Sequence, residues 1–470
     1  MPTFPTFFGI QGDATYIANK KGDIVSMLQA GCCVGALLSN FVSDPIGRKK
    51  SIVVFGAIFL LGSALQVGAH NLPTMMAGRF IGGMGIGGCS SLVPVYIAEI
   101  APRKLRGRLG TLWQFLICIG IMVSYWIDYG CLRGIPTGDT QWRVPLAIQL
   151  IPGVILCVGM IFLPESLRWY ASRGEYDKVL STLSKLRDMP EDHPEVQGEF
   201  EEIQQASQLE KEGKAGKFSE LFHGHNLHRL FVGIMLQVFQ QWTGTNAINY
   251  YAPDIFKSIG LGSAETDILA TGVYGAVKVA FVFVSFFMVD TNLGRRRTLM
   301  IGSVFMMAAF YILGGMILGL QRDNHGVLGA GANVDAKGYV AMVMIYFFAV
   351  GYEFSWGPIP WILCSEIYST NLRAFSMSLC TAFNWAMNAT IAKVTPIMIS
   401  KITYGTYFFF GSMAVVMGVF AFLFVPETKG RSLEEIDKLF QEGNIWAYKD
   451  DYKVDIAKIK ADEENGIYKD

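Results

Sequence analysis

Charge is what this chain has least of: only 17% of its 470 residues are Asp, Glu, Lys or Arg, and the two signs cancel at 39 each. That balance leaves no global basic field of the kind that holds nucleic acid, so no nucleic-acid partner is expected. The eight cysteines, Cys32, Cys33, Cys89, Cys118, Cys131, Cys157, Cys364 and Cys380, contain no CxxC pair and fall mostly within apolar stretches. They read as small packing residues, which excludes a metal centre or a disulfide frame. The opening MPTFPTFFGIQGD lacks both the basic and the apolar region of a cleavable signal peptide. Walker A, HExxH and GxSxG patterns are missing too, so ATP-driven pumping, membrane hydrolysis and enzymatic activity are not expected and no cofactor is implied.

Apolar residues are what it has most of, at 51%, with a mean hydropathy of +0.35. A chain this apolar cannot cover a soluble core with a polar surface. Crossing a bilayer takes about 20 apolar helical residues. Eleven such runs are present, centred near Gly35, Leu60, Gly85, Ile119, Leu156, Val238, Val279, Met307, Phe348, Ala386 and Val415. Lipid demands that every backbone group be paired within the segment, so the predicted class is an all-α, polytopic membrane protein. Lys and Arg cluster in alternate loops, at 48–50, 103–108, 168–229, 295–297 and near 373, which places those loops in the cytoplasm. The expected organisation is an extracytoplasmic segment over 1–22, a transmembrane bundle over 23–163, a polar cytoplasmic helical linker over 164–228, a second bundle over 229–426 and a cytoplasmic tail over 427–470.

The two bundles repeat one another. Asp44-Pro-Ile-Gly47-Arg48-Lys49-Lys50 returns as Asp290 followed by LGRRR, Val95-Tyr-Ile-Ala-Glu99 resembles Leu363-Cys-Ser-Glu366-Ile, and Pro164-Glu165-Ser166 returns as Pro426-Glu427-Thr428. In the second half a full helix, near 230–250, precedes the one ending at Asp290. Nothing comparable precedes the helix ending at Asp44, so 11 of 12 helices are expected and Met1 is read as an internal methionine of a longer protein.

GRFIGGMGIGG at 78–88, PVYIAEIAPRKLRG at 94–107, PESLRW at 164–169, QQWTGTNAINYY at 240–251, DTNLGRRR at 290–297 and PETKG at 426–430 stand in one order along the chain. Together they resemble the signature set of the sugar porters of the major facilitator superfamily. The pattern is nearest to the branch that holds quinate permeases with pentose and hexose carriers. The resemblance implies two pseudo-repeated helical bundles that rock about a central site, in the plasma membrane, with a small-molecule substrate and possible coupling to protons.

Buried amides need a reason to be there. Gln114, Gln240, Gln241, Asn246 and Asn384 offer donors and acceptors suited to hydroxyl groups, or else to each other. The resemblance implies that these five, with Trp361, contact substrate. Tyr250 and Tyr251 match an outer gate, and Pro358 and Pro360 break a helix beside the site. Arg48, Arg106, Arg295 and Arg373, near Glu99, Glu165, Glu366 and Glu427, supply opposite charges that would latch one bundle to the other; Asp44 and Asp290 belong to the same motifs. Glu353 is implied to be a conformational residue. Its partner must come from another helix, or it carries a proton.

Lys278 departs from the family pattern, standing where many sugar porters carry asparagine. Three readings are open: a pair with a carboxylate such as Glu353, a donor to sugar hydroxyls, or the counter-ion of an anionic substrate. Arg79 matches an arginine that, in proton-coupled members, pairs with an aspartate on the first helix. The expected function is therefore a carrier of monosaccharides or related polyols. The alternatives are a quinate or hydroxy-acid permease with Lys278 as counter-ion, and a non-transporting sensor or inactive truncated carrier.

Overall fold

The computed structural model describes residues 3–102, 106–212, 222, 224–258, 264–288, 294–323, 336–368, 370–428, 436 and 440, and every regular element among them is helical. The chain starts with a short helix, α1 (Thr3–Phe7), which packs Phe4, Phe7 and the following Phe8 around Trp142 at ring distances of 5.3 to 5.6 Å. Arg143 lays its guanidinium over the same indole at 4.5 Å and donates to the carbonyls of Val67 and Ala69.

The N-terminal bundle comprises α2 (Ala14–Ile46), α3 (Arg48–Val67), α4 (Leu72–Ile100), α5 (Arg106–Gly134), and the consecutive α6 (Asp139–Ile148) and α7 (Leu150–Phe162). Helix α2 begins at Ala14, where the Asp13 carboxylate accepts the Tyr16 N–H, so residues 14–22 of the predicted outer segment are helical and continuous with the first predicted crossing. Glycine sets the spacing of α2 and α4. A Cβ on Gly31 or Gly35 would collide with the carbonyl oxygens of Phe80 or Met84, and one on Gly83 or Gly87 with those of Leu28 or Cys32. Such backbone-to-backbone contact replaces the hydrophobic driving force that lipid removes.

Between the bundles, α8 (Leu167–Ser172), α9 (Tyr176–Arg187) and α10 (Pro194–Glu212) bury Leu167, Ala171, Val179, Leu183 and Val196 in a core of their own. Arg187 grips Glu199 with two bonds, of 2.9 and 2.7 Å, and reaches the Ile100 carbonyl, fastening this layer to the end of α4.

The C-terminal bundle comprises α11 (Gly224–Trp242), α12 (Thr245–Ser258), α13 (Ala264–Met288), α14 (Arg295–Asp323), α15 (Ala336–Phe354), α16 (Ile359–Glu366), α17 (Thr370–Ile402) and α18 (Gly405–Phe424). Helix α11 begins at Gly224, within the predicted linker. All eleven predicted crossings are helical. Among the described residues, eight helices are long and apolar enough to span on length and composition alone. The remaining three predicted crossings, on α11, α13 and α17, are those that carry Gln240, Lys278 and Asn384. On α11 and α17 polar side chains lower the hydropathy of the helix that holds them, whereas α13 is apolar over Leu269–Ser285, the stretch whose side chains are described.

The internal repeat extends to the helix caps. Gly47 (φ 95°) and Gly294 (φ 74°) precede α3 and α14, and a Cβ on either would collide with the carboxylate of Glu165 or Glu427. Glu165 accepts the Lys49 N–H at 2.9 Å, and Glu427 accepts the Arg295 and Arg296 N–H groups at 2.8 and 3.2 Å. A carboxylate over the free amides of a helix start is favourable electrostatically as well as through hydrogen bonds.

Candidate substrate site

Helix α15 stops at Phe354 and α16 starts at Ile359, as Pro358 and Pro360 predict. The Ser355 and Gly357 N–H groups fold back onto the Tyr352 carbonyl at 3.1 and 2.9 Å. This break leaves the Trp356 and Gly357 carbonyls outside the helical ladder, and both accept from the Gln240 side chain, at 3.0 and 2.9 Å. One amide on α11 thus satisfies an interruption in α15–α16.

From Gln240 a line of amides runs through the bundle. Asn384 on α17 donates to the side-chain oxygens of Gln237 and Gln240, at 2.7 and 2.8 Å. Gln241 donates to Asn384 at 2.9 Å, Asn246 donates to Gln241, and Asn249 donates to Asn246 at 3.2 Å. Lys278 closes the line by donating to Asn249 Oδ1 at 3.3 Å. Its ammonium lies 2.9 Å from Glu353 Oε1, at ion-pair distance though poorly aligned for a hydrogen bond, and the tyrosine rings of Tyr274 and Tyr352 stand 5.6 and 5.5 Å away. The other Glu353 oxygen accepts from Gln114, on α5 of the opposite bundle, at 3.0 Å. Lys278 and Glu353 are 2% and 0% exposed.

The predicted contacts Gln240, Gln241, Asn246, Lys278 and Asn384 therefore belong to one hydrogen-bonded line, which Gln114 joins through the Lys278–Glu353 ion pair. Trp361 is partly buried on α16 beside the core of the C-terminal bundle. At the end of this line remote from the arginine motifs, the Tyr250 hydroxyl donates to Asn388 at 3.0 Å and accepts from Gln29 of α2 at 3.0 Å, joining the two bundles. Tyr251 departs from helical geometry (φ −121°, ψ 17°) and donates to the Ala392 carbonyl at 2.6 Å. Nearby, Asp23 of α2 pairs with Lys393 of α17.

At the opposite end, Arg48 and Arg295 are the arginines of the expected latch whose side chains are described. Arg48 meets Glu99 at 3.4 Å and Asp44 at 3.5 Å, all within the N-terminal bundle, while Arg295 meets Glu366 at 3.5 Å within the C-terminal one. Ser166 and Thr428 donate to Glu99 and Glu366 in the same relation. Among the described side chains, each of these pairs lies within one bundle. Asp290 lies outside the described residues, as do the side chains of Arg106 and Arg373. Arg79, on α4, has a buried Nε that meets no hydrogen-bond acceptor among the described residues.

Residues 3–440 match the family described as Sugar (and other) transporter. The chain belongs to that family. This sugar transporter family member is 37% identical over 452 residues to a Neosartorya fischeri protein named "Probable quinate permease", covering 94% of this chain and 82% of that one. It is 35% identical over 434 residues to the quinate permease of Emericella nidulans, at 91% and 81% coverage. Its fold is similar to that of the proton:xylose symporter XylE bound to 6-bromo-6-deoxy-D-glucose, with a TM-score of 0.78, 26% identity and 93% of each chain covered. The chain is thus a multi-pass integral membrane protein with the major facilitator fold, and a transmembrane carrier.

Sequence reasoning about this transporter missed Gln237, Asn249, Asn388 and Gln29. Three of these lie one helical turn from a named residue: Gln237 from Gln240, Asn249 from Asn246, Asn388 from Asn384. Residues three or four apart share a helix face, so that spacing was the available signal. Gln29 offered none, its partner Tyr250 lying 221 residues away.

Proposed function

We propose that this chain is an alternating-access carrier of a polyhydroxylated small molecule, and that its own substrate is a quinate-like cyclic polyol bearing one carboxylate. The observation that carries the reading is Lys278, an ammonium 2% exposed at the end of a line of uncharged amides. Amides suit hydroxyl groups, which both donate and accept, and a buried lysine suits one carboxylate. The names of the quinate permease relatives support it. The substrate would sit between the halves, with Gln114 from one bundle and the other amides from the second, and rocking would expose it to each side in turn. The cycle involves no covalent step and no cofactor, and the plasma membrane is its natural place.

A neutral monosaccharide is the second reading, favoured by Glu353, which already neutralises Lys278. Uptake of labelled quinate, xylose and glucose in cells lacking their own carriers separates the two. Saturable quinate uptake is expected. Uptake of xylose or glucose without quinate overturns the carboxylate reading, and binding of any of the three without uptake favours a sensor.

A further inference from the structure

We propose that Lys278 and Glu353 form an exchange site, in which the carboxylate of the substrate replaces Glu353 on the Lys278 ammonium and the displaced Glu353 takes up one proton. The inference rests on the hydroxy-acid reading above and adds to it the coupling ion and the group that carries it.

The starting point is burial. At 2% and 0% exposure, neither Lys278 nor Glu353 can remain charged without a partner at ordinary energetic cost. Together they are neutral. The groups around Glu353 supply no second cation. Helix α13 presents Lys278 and Tyr274, α5 presents Gln114 and Cys118, and its own helix presents Tyr352. Tyrosine and cysteine keep their protons at neutral pH, so Lys278 is the one positive charge facing Glu353 among the described residues.

An incoming carboxylate seeks the same ammonium. Two carboxylates around one lysine leave the site with one surplus negative charge in a low-dielectric wall, which disfavours closure. One proton removes the surplus. Glu353 is the group placed to take it, because once it has left Lys278 its remaining described side-chain partners are uncharged, Gln114 at 3.0 Å and Cys118. Gln114 can serve both states: its NH2 donates to the carboxylate, and its carbonyl accepts from the acid after the amide turns over. Asn249, the other acceptor on Lys278, stays with the lysine throughout and joins it to the amides that would hold the hydroxyl groups.

The charges then balance in every closed state. Empty, the site holds Lys⁺ and Glu⁻; loaded, it holds Lys⁺, the substrate carboxylate and a protonated Glu353. Each crossing carries one carboxylate and one proton, with no net charge. A neutral sugar leaves the ion pair in place and carries no proton.

The test uses the full chain in sealed proteoliposomes containing a pH-sensitive dye. An outside medium one pH unit more acidic should drive about tenfold accumulation of labelled quinate, the ratio that one coupled proton supports. Lumen acidification should match quinate entry one for one, and an imposed membrane potential without a pH gradient should drive none. Glu353→Gln should abolish accumulation and make quinate exchange insensitive to pH. Since that variant leaves Lys278 unpaired when empty and is at risk of misfolding, the wild-type stoichiometry stands as a test on its own. Potential-driven quinate entry without acidification overturns the exchange while leaving the substrate reading intact, and so does gradient-driven accumulation by Glu353→Gln. Absence of quinate transport by the wild-type chain overturns the substrate reading and the exchange with it.

Discussion

In the C-terminal bundle one continuous core runs from Val232 on α11 through Phe310 and Phe348 to Phe420 on α18, whereas the main core of the N-terminal bundle gathers around Ile52, Phe55, Leu92, Tyr96 and Met160. The contrast lies in two crossings. Only 11% of the most apolar stretch of α5, and of α6 with α7, is buried, against 39% to 56% for the other six helices that meet the same criterion. Leu116, Ile155 and Phe162 are 57%, 65% and 83% exposed on them. The N-terminal bundle is held instead by glycine-mediated contact among α2, α3 and α4. All but one of the amides in the polar line stand on the well-packed half. A site built from mutually bonded amides requires fixed geometry, and close packing provides it.

The largest expected effect breaks the glycine contact. Gly87→Leu drives a side chain into the Cys32 backbone and should remove the monodisperse folded peak in detergent, whereas Gly159→Leu, with no neighbour within 4 Å of its Cβ position, should not. Equal behaviour of the two would show that glycine packing does not hold this bundle.

Next come the buried amides. Asn384→Leu strands the partners on Gln237, Gln240 and Gln241, at about 1–3 kcal/mol for each unpaired group, and should lower melting temperature and raise KM for uptake together. Gln66→Leu, which removes bonds to the Gly62 and Gly78 carbonyls in the other bundle, should lower stability with KM unchanged. A raised KM there would extend the site in the N-terminal half beyond Gln114.

A smaller effect probes the repeat. Glu165→Gln and Glu427→Gln each remove a charge over a helix start, worth about 0.3–1 kcal/mol, and should shift melting equally. Unequal shifts would mean that the halves no longer use the cap alike. Smallest of all is Lys393→Ala, which opens a part-exposed pair worth about 0–1 kcal/mol. Its signature should be faster cysteine labelling near Tyr250, with melting little changed.

What could be read beforehand follows from where information resides along the chain. The crossings, the duplication and the helix break at Pro358 were legible because each is local or repeats itself. The Lys278–Glu353 pair stood in the sequence as one of three readings, since a buried ammonium demands a partner without naming it. The reach of Gln240 to carbonyls 116 and 117 residues away had no local signal. The charge latch stays an expectation, because alternating loops show which charges share a membrane face and not which helices they join, and the side chains of Arg106 and Arg373 lie outside the described residues.

The grip of Gln240 on the break between α15 and α16 has a mechanical consequence. Two carbonyls are held by a single side chain on another helix, so straightening or swinging α16 by itself would strand both in a dry wall at about 1–3 kcal/mol apiece. The hinge is fitted with a tie rod. Motion at the break must drag α11 along with it, and through Asn384 also α17, so that a local bend is delivered as a concerted displacement of three segments.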